Sequence, residues 1–170
     1  MPGLTEGRAI MSKWPEVFDL LVRDLRAGRG RPGIVEGASP HAPATIDRLR
    51  DRSTRYSLGE VLVNCERPPS VSELFASLDC QHEEPTLLLD IEVLFTPELG
   101  IAVLPALRLL AQRRPLIALW PGQIGVTRVS YSLPGRIDYV DEPARDLVVL
   151  RPVPTEFPDE SPYELERFPA

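Results

Sequence analysis

The sequence predicts an α/β fold, a three-layer sandwich in which helices cover both faces of a mainly parallel sheet of five strands. Short apolar segments alternate with amphipathic segments on short connections, the pattern of a parallel sheet with crossover helices. Residues 86–90 are apolar until they end in a carboxylate, as is typical of a central strand buried on both faces. Alternating residues near position 130 predict a small hairpin beside this sheet.

The chain of 170 residues is long enough for one packed core, and 43% of its residues are hydrophobic. We therefore expect a single domain over residues 1–152. Residues 153–170 are acidic and rich in proline, a composition that favours an extended or partly disordered tail.

The first predicted elements are a helix, a strand and a loop. Residues 14–26 have apolar side chains at helical spacing, and glycines follow them. Residues 33–37 predict a strand that ends in a glycine. Residues 38–43 are expected to be loop throughout, because Pro40 and Pro43 lack an N–H donor and disfavour helical conformation.

Three elements then precede the central strand. Residues 45–52 predict a helix, and the apolar run within residues 58–64 predicts a strand. Residues 70–78 predict a short amphipathic helix. Ser70 precedes Glu73 by three residues there, which is the spacing of a capping box.

The same alternation continues after the central strand. Residues 99–114 predict a helix with arginines near its C-terminal end, where cations suit the helix dipole. Residues 116–120 predict a strand, residues 126–132 pair with residues 136–140 in the hairpin, and residues 146–150 predict the last strand. The five central strands are expected to contain Ile34, Leu62, Leu88, Ile117 and Val148.

The order of strand, glycine, helix and later an apolar strand ending in aspartate is that of P-loop nucleotide-binding proteins. In a working P-loop, backbone N–H groups, a lysine and a hydroxyl hold the phosphates and magnesium. Gly37 and Thr45 are the only matching residues here and are the candidate nucleotide-binding pair. Pro40 and Pro43 remove two donors, and the only lysine, Lys13, lies in another part of the chain. The phosphate loop is therefore degenerate.

Two carboxylates follow the central strand. Asp90 matches the acid that binds magnesium and nucleotide in a P-loop protein, and Glu92 would project to the same side if the strand continued. In an NTPase these two would be the catalytic residues, with Glu92 orienting the attacking water. Alternatively, the two carboxylates cap backbone groups or pair with arginines at a polar strand end. The missing lysine favours this second interpretation.

No metal site is predicted. Cys65, Cys80 and His82 do not have the spacing of a zinc site, and a fourth ligand is missing. We find no leader-like or membrane-spanning segment in the sequence, so the protein is expected in the cytoplasm.

The charge balance argues against nucleic-acid binding by a single chain. The net charge is −6, so no broad attraction to phosphate backbones is expected. An oligomer could still align Arg29, Arg31, Arg50 and Arg52 into a ring that contacts DNA.

Two segments are candidate interfaces. Arg128 and Arg136 lie in the predicted hairpin, and Phe157 and Tyr163 lie in the acidic tail, where aromatic residues resemble short docking segments. Trp120, at the end of a strand, would be an interface anchor if it were exposed and would cover the core if it were buried; of the two, burial is expected.

From residue 33 to 152 the chain resembles the BrxF family, small P-loop-type proteins of BREX bacteriophage-exclusion systems. The resemblance lies in Leu-Leu-Leu-Asp-Ile-Glu-Val-Leu-Phe at 87–95, Ile-Ala-Leu-Trp-Pro-Gly at 117–122, and Tyr131 and Pro134. It implies a RecA-like or AAA-like core that acts beside a large ATPase, a methyltransferase and a phosphatase-like protein. The sequence departs from the family at the phosphate loop.

Three functional hypotheses follow. The first is a non-catalytic, P-loop-like subunit that needs no cofactor and acts by homo-oligomerisation or by docking on other defence-system proteins. The second is an NTPase that uses ATP and magnesium with an atypical loop, in which an arginine such as Arg48 replaces the lysine. The third is an oligomeric, DNA-binding accessory protein.

Overall fold

A computed structural model describes residues 9–76, 78, 84–155 and 162–170. The helices are α1 (Glu16–Ala27), α2 (Ala42–Arg50), α3 (Leu58–Val63), α4 (Val71–Ala76) and α5 (Val103–Ala111), with 3₁₀ helices at Ile91–Phe95 and Pro97–Leu99. The strands are β1 (Ile10–Ser12), β2 (Gly33–Glu36), β3 (Thr54–Ser57), β4 (Thr86–Leu89), β5 (Leu116–Trp120), β6 (Gln123–Ile124), β7 (Arg128–Tyr131), β8 (Val140–Pro143), β9 (Leu147–Pro152) and β10 (Tyr163–Phe168).

The main sheet has seven strands in the order β1-β10-β9-β2-β5-β4-β3, not the five that were predicted. The strands from β9 to β3 in this order are parallel. Strand β10 pairs antiparallel with both β9 and β1, and so adds two strands at one edge. A second, antiparallel sheet has the order β6-β7-β8. The α/β class and the mainly parallel sheet are therefore confirmed.

Helices cover both faces of the main sheet, and successive strand residues alternate between two apolar clusters. Val35 and Leu87 pack beneath α1 and α2. Ile34 and Leu88 face the opposite cluster, which contains residues of α3, α4 and α5. The expected packing of the first helix against the sheet is confirmed.

The predicted strand over residues 58–64 is wrong. Leu62 lies in α3, and the strand that pairs with β4 is the more polar β3. The side chain of Ser57 accepts a hydrogen bond from Glu60 N at 3.1 Å and so caps α3. A short apolar run fits a helix or a strand equally well, and here the serine cap decides in favour of the helix.

The predicted tail is part of the main sheet where Tyr163–Phe168 forms β10. Tyr163 and Leu165 are buried, and six residues of β10 pair with β9. Asp24 of α1 accepts a hydrogen bond from Arg167 at 2.5 Å. The acidic, proline-rich composition concealed a short alternation of apolar and polar residues that is typical of a half-buried strand.

Several boundaries also differ from expectation. Pro43 lies in the first turn of α2, a position where its missing N–H costs little, so the predicted loop is shorter. The helix predicted over residues 99–114 is limited to Val103–Ala111, because two 3₁₀ helices precede it. In the hairpin, β7 pairs with Val140–Pro143, which overlaps the predicted segment 136–140 only at Val140.

The capping box at the start of α4 is confirmed. The Glu73 carboxylate accepts a hydrogen bond from Ser70 N at 2.8 Å, and Ser70 Oγ accepts one from Glu73 N at 3.3 Å. The Ser70 donors are the main reason that the pKa of Glu73 lies below its usual value.

We expect the substitution Leu88→Ala to lower the free energy of unfolding by about 2–5 kcal/mol, because it leaves a cavity in the sheet core. The matched control is Leu109→Ala on α5, where the side chain is 50% exposed and the loss should stay below about 1 kcal/mol. Urea unfolding curves measure both changes. Equal losses would contradict the central position of β4.

Candidate functional site

The candidate site lies where β2, β5 and β4 end. The connection after β2 leads towards one edge of the sheet, to β3. The connection after β5 leads towards the opposite edge, to β9. In open α/β sheets ligands bind in the crevice formed at such a reversal, beyond the carboxyl ends of the strands. The segments that enter this position are the degenerate phosphate loop and Trp-Pro-Gly at 120–122.

The two strand ends that would form this crevice are joined to each other. Gly37 N donates a hydrogen bond to the carbonyl oxygen of Trp120 at 2.7 Å. A Cβ atom at position 37 would lie 2.9 Å from the same oxygen, so only glycine fits there without a shift. The N–H group of Gly37 is therefore used to extend the sheet rather than being presented to a phosphate.

The turn before α2 also satisfies its own polar groups. Ala42 N donates to the carbonyl of Ser39 at 3.0 Å. Both the N–H and the hydroxyl of Thr45 donate to the carbonyl of His41, at 3.3 and 3.2 Å, and Thr45 is fully buried. The hydroxyl that would hold magnesium in a P-loop is thus bonded to the backbone of its own helix.

Arg48, the candidate replacement for the lysine, contacts the end of β10. Its Nη1 donates to the Tyr163 hydroxyl at 3.1 Å, and its guanidinium carbon lies 5.8 Å from the centre of that ring. Trp14 packs against Tyr163 with ring centres 5.6 Å apart. Tyr163, predicted as an interface residue, is only 2% exposed and instead joins these elements. Phe157 lies outside the described residues.

Asp90 immediately follows β4 in a left-handed backbone conformation, with φ 58° and ψ 35°. Its carboxylate accepts a short hydrogen bond from the Ser57 hydroxyl. A Cβ atom at position 59 would lie 3.1 Å from that carboxylate, so Gly59 leaves room for it. Since Ser57 also caps α3, Asp90 connects the end of β4 to the β3–α3 junction.

We expected Glu92 to project to the same side as Asp90 if the strand continued, but the strand does not continue. The strand ends at Leu89, and Glu92 is an exposed residue of the following 3₁₀ helix. In the described part of the chain, no group of three or more His, Cys, Asp or Glu side chains is placed to hold a metal ion. Cys80 and His82 lie outside this part.

Trp120 connects the two sheets. It is fully buried, as expected, and its indole N–H donates to the carbonyl oxygen of Ser130 on β7 at 2.9 Å. A Cβ atom at position 122 would lie 1.9 Å from the same oxygen, so Gly122 is required for this approach. Phe95 meets Trp120 edge to face and stacks on Tyr131, with ring centres 5.3 and 4.0 Å apart.

The two candidate arginines of the hairpin have carboxylate partners within the chain. Arg128 donates to the Asp141 side chain at 2.7 Å, which raises the pKa of the arginine. Arg136 donates to Asp138 at 3.2 Å. The hydrogen bond from the Ser132 hydroxyl is the main cause of the lowered pKa of Asp138, and Arg136 adds to it.

Large apolar side chains are exposed around the same hairpin. We call these residues the hairpin surface; they are Val126, Leu133, Ile137 and Tyr139, exposed by 81%, 66%, 87% and 37%. Val126 lies in the connection between β6 and β7, whereas Leu133, Ile137 and Tyr139 lie in the connection between β7 and β8. Clustered apolar residues that are exposed to solvent are typical of a protein contact surface. The sequence indicated this hairpin through its arginines, whereas the structure points to its apolar residues.

No protein-family model, curated protein or solved structure matches the chain. Within the described residues, every helix is too short or too polar to cross a membrane.

The geometry predicts a structural role for Asp90. We expect Asp90→Ala to lower the free energy of unfolding by about 1–3 kcal/mol, because it removes the acceptor for Ser57 and puts alanine in a left-handed conformation. The matched control is Asp90→Asn, which keeps an acceptor oxygen and tolerates that conformation, and should lose less than about 1 kcal/mol. Thermal unfolding of both variants tests this role, and an unchanged stability of Asp90→Ala would contradict it.

Proposed function

We propose that the chain is a non-catalytic, P-loop-like subunit of a BREX-type phage-defence complex, which acts through protein contacts. The main observation in support of a non-catalytic role is that the candidate phosphate-binding groups are already hydrogen-bonded to backbone carbonyl oxygens of the same chain. Gly37 N is bonded to Trp120, and the Thr45 hydroxyl is bonded to His41. Neither group is presented to a nucleotide.

The order of the parallel strands supports a P-loop-like ancestry of the fold. Strand β5 lies between β2, which precedes the degenerate loop, and β4, which precedes Asp90. A parallel sheet in which the phosphate-loop strand and the strand ending in aspartate run in the same direction is compatible with the RecA-like or AAA-like core that the BrxF resemblance implies. Such a sheet can be kept as a scaffold after nucleotide binding has been lost, because fold and site are separable.

The hairpin surface supports the proposed mode of action. Four large apolar side chains are exposed in the two loops of the small antiparallel sheet, and three of them share the β7–β8 connection. Trp120 fixes this sheet to the main sheet. The partner is a second copy of the chain or one of the large ATPase, methyltransferase and phosphatase-like proteins that the resemblance implies. The complex would act in the cytoplasm.

The NTPase alternative rests on the backbone of Asp90. A non-glycine residue in a left-handed conformation at a strand end is a strained feature of the kind that clusters at functional sites. Under this alternative ATP and magnesium would bind at the carboxyl edge, with Glu92 orienting the attacking water.

We expect the full chain to show neither tight binding nor hydrolysis of ATP with magnesium. Each lost charge-assisted contact to the phosphates removes about 1.5–3 kcal/mol of binding free energy, so the affinity should be weaker than that of a working P-loop by several orders of magnitude. Isothermal titration calorimetry measures the binding. A micromolar dissociation constant, with turnover abolished in Glu92→Gln, would favour the NTPase instead.

The hairpin surface predicts a defined effect of one substitution. We expect Ile137→Arg to weaken self-association or binding to a defence-system protein by at least about tenfold, because it places a charge in an apolar contact. Val63→Arg is the matched control, since Val63 is equally exposed, at 86%, but lies on α3. Light scattering over a concentration series and pull-down of the candidate partners measure the association. A wild-type chain that stays monomeric and captures none of these partners would refute the proposal.

A further inference from the structure

The connection between β7 and β8, which we call the β7–β8 loop, holds three exposed apolar side chains on a folded backbone. Leu133, Ile137 and Tyr139 are exposed by 66%, 87% and 37%. Arg136 N donates a hydrogen bond to the carbonyl oxygen of Leu133 at 3.1 Å, and Tyr139 N donates one to that of Arg136 at 3.2 Å. Gly135, with a φ of +89°, permits the first of these two turns. Because the loop is already folded, it loses little conformational freedom on binding.

The polar side chains of this loop are bonded to one another. The Asp138 carboxylate accepts hydrogen bonds from the Ser132 hydroxyl at 2.8 Å and from the Arg136 guanidinium at 3.2 Å. The loop contains one arginine and one aspartate, so its charges cancel within the chain. The surface that remains for a partner is apolar, and it fits an apolar partner surface without charged groups.

A pocket of this kind lies between α4 and α5 of the same chain and has a volume of about 160 Å³. The described residues that line it, which we call the α4–α5 pocket, are Val71, Ser72, Phe75, Ala76, Leu109, Leu110 and Arg113. Phe75 and Leu110 are buried, whereas Leu109 is 50% exposed. An apolar cavity of about 150 Å³ accepts a molecule as large as benzene, so this pocket has room for the four-carbon side chain of an isoleucine.

The pocket matches the loop in charge as well as in size. Arg113 is the only charged side chain among the described lining residues, and it has a further interaction within the chain. Neither surface therefore requires an ion pair across the contact. Two copies of a chain with a net charge of −6 repel each other at long range, so an apolar contact between them should strengthen as salt screens this repulsion.

A symmetric contact between two β7–β8 loops would be too small for a stable interface. Such an interface buries about 800 Å² on each partner and involves about 20–30 residues on each side. The loop offers three large apolar residues. If the loop enters a pocket, it is covered on several sides, and the contact also covers the exposed part of Leu109.

We infer that the β7–β8 loop of one copy docks in the α4–α5 pocket of a second copy, with the Ile137 side chain inserted. This inference rests on the proposed function, because it names the partner and the receiving surface for the same apolar residues. The loop and the pocket share no residue, so the contact joins two different surfaces of the chain. Contacts of this type link copies head to tail into a ring or an open chain.

The test uses three variants of the full chain that have the same change in charge. Ile137→Arg alters the loop and Leu109→Arg alters the pocket, whereas Val63→Arg is the control, since Val63 is 86% exposed on α3 and does not line the pocket. Sedimentation velocity over a concentration series measures the association. Circular dichroism checks the fold, and Ala76→Arg replaces Leu109→Arg if the latter does not fold.

We expect the loop variant and the pocket variant each to self-associate at least about tenfold more weakly than the wild type, and the control to be almost unchanged. An equimolar mixture of the loop and pocket variants should restore a dimer, because the first keeps an intact pocket and the second keeps an intact loop. Association of the wild type should strengthen as the sodium chloride concentration is raised.

A loss in the loop variant with none in the pocket variant would overturn the inference and leave the proposed function in place, because the loop would then contact a different surface. A mixture that stays monomeric would also overturn it. So would a wild-type chain that is monomeric at every concentration and salt condition. In that case, capture of a defence-system protein by the wild type but not by Ile137→Arg would show that only the inference, and not the proposed function, has failed.

Discussion

The hydrogen bond between the Trp120 indole and the Ser130 carbonyl fixes the arrangement of the two sheets. A buried indole N–H without a partner would be costly, so the tryptophan can fill the core only while β7 lies against it. Gly122 permits this approach, and the Phe95 and Tyr131 rings close the remaining space. The position of the hairpin depends on this hydrogen bond together with the stacking of Phe95 on Tyr131 and the hydrogen bond from Arg151 to the carbonyl oxygen of Ile124.

The same tryptophan influences the candidate site through its backbone. Its carbonyl oxygen accepts the hydrogen bond from Gly37 and so joins β2 to β5 one residue beyond the end of β2. In a sheet of this topology the space between these strands is where a ligand would enter. The N–H group of Gly37 can bond either to the neighbouring strand or to a phosphate, and not to both. In this chain it bonds to the carbonyl oxygen of Trp120 on β5.

The sequence predicted those elements whose apolar pattern is long or continuous. The first helix, β4 and β5 were found, because burial on a whole face leaves a strong periodic signal. The run around Leu62 was misassigned because a serine cap, not hydrophobicity, decides its conformation. At the site, Asp90 was identified by its position, whereas its bond to Ser57 joins elements 33 residues apart and leaves no local signal.

The pairing of β10 between β9 and β1 has a consequence for the order of folding. Residues 147–150 of β9 are fully buried, yet one edge of that strand has no partner until Tyr163–Phe168 is available. During synthesis β2 and β5 can pair before β10 exists, but β9 would present an apolar edge with unpaired backbone groups. A chain shortened before residue 163 would therefore expose a strand edge prone to aggregation, in addition to losing β10 itself.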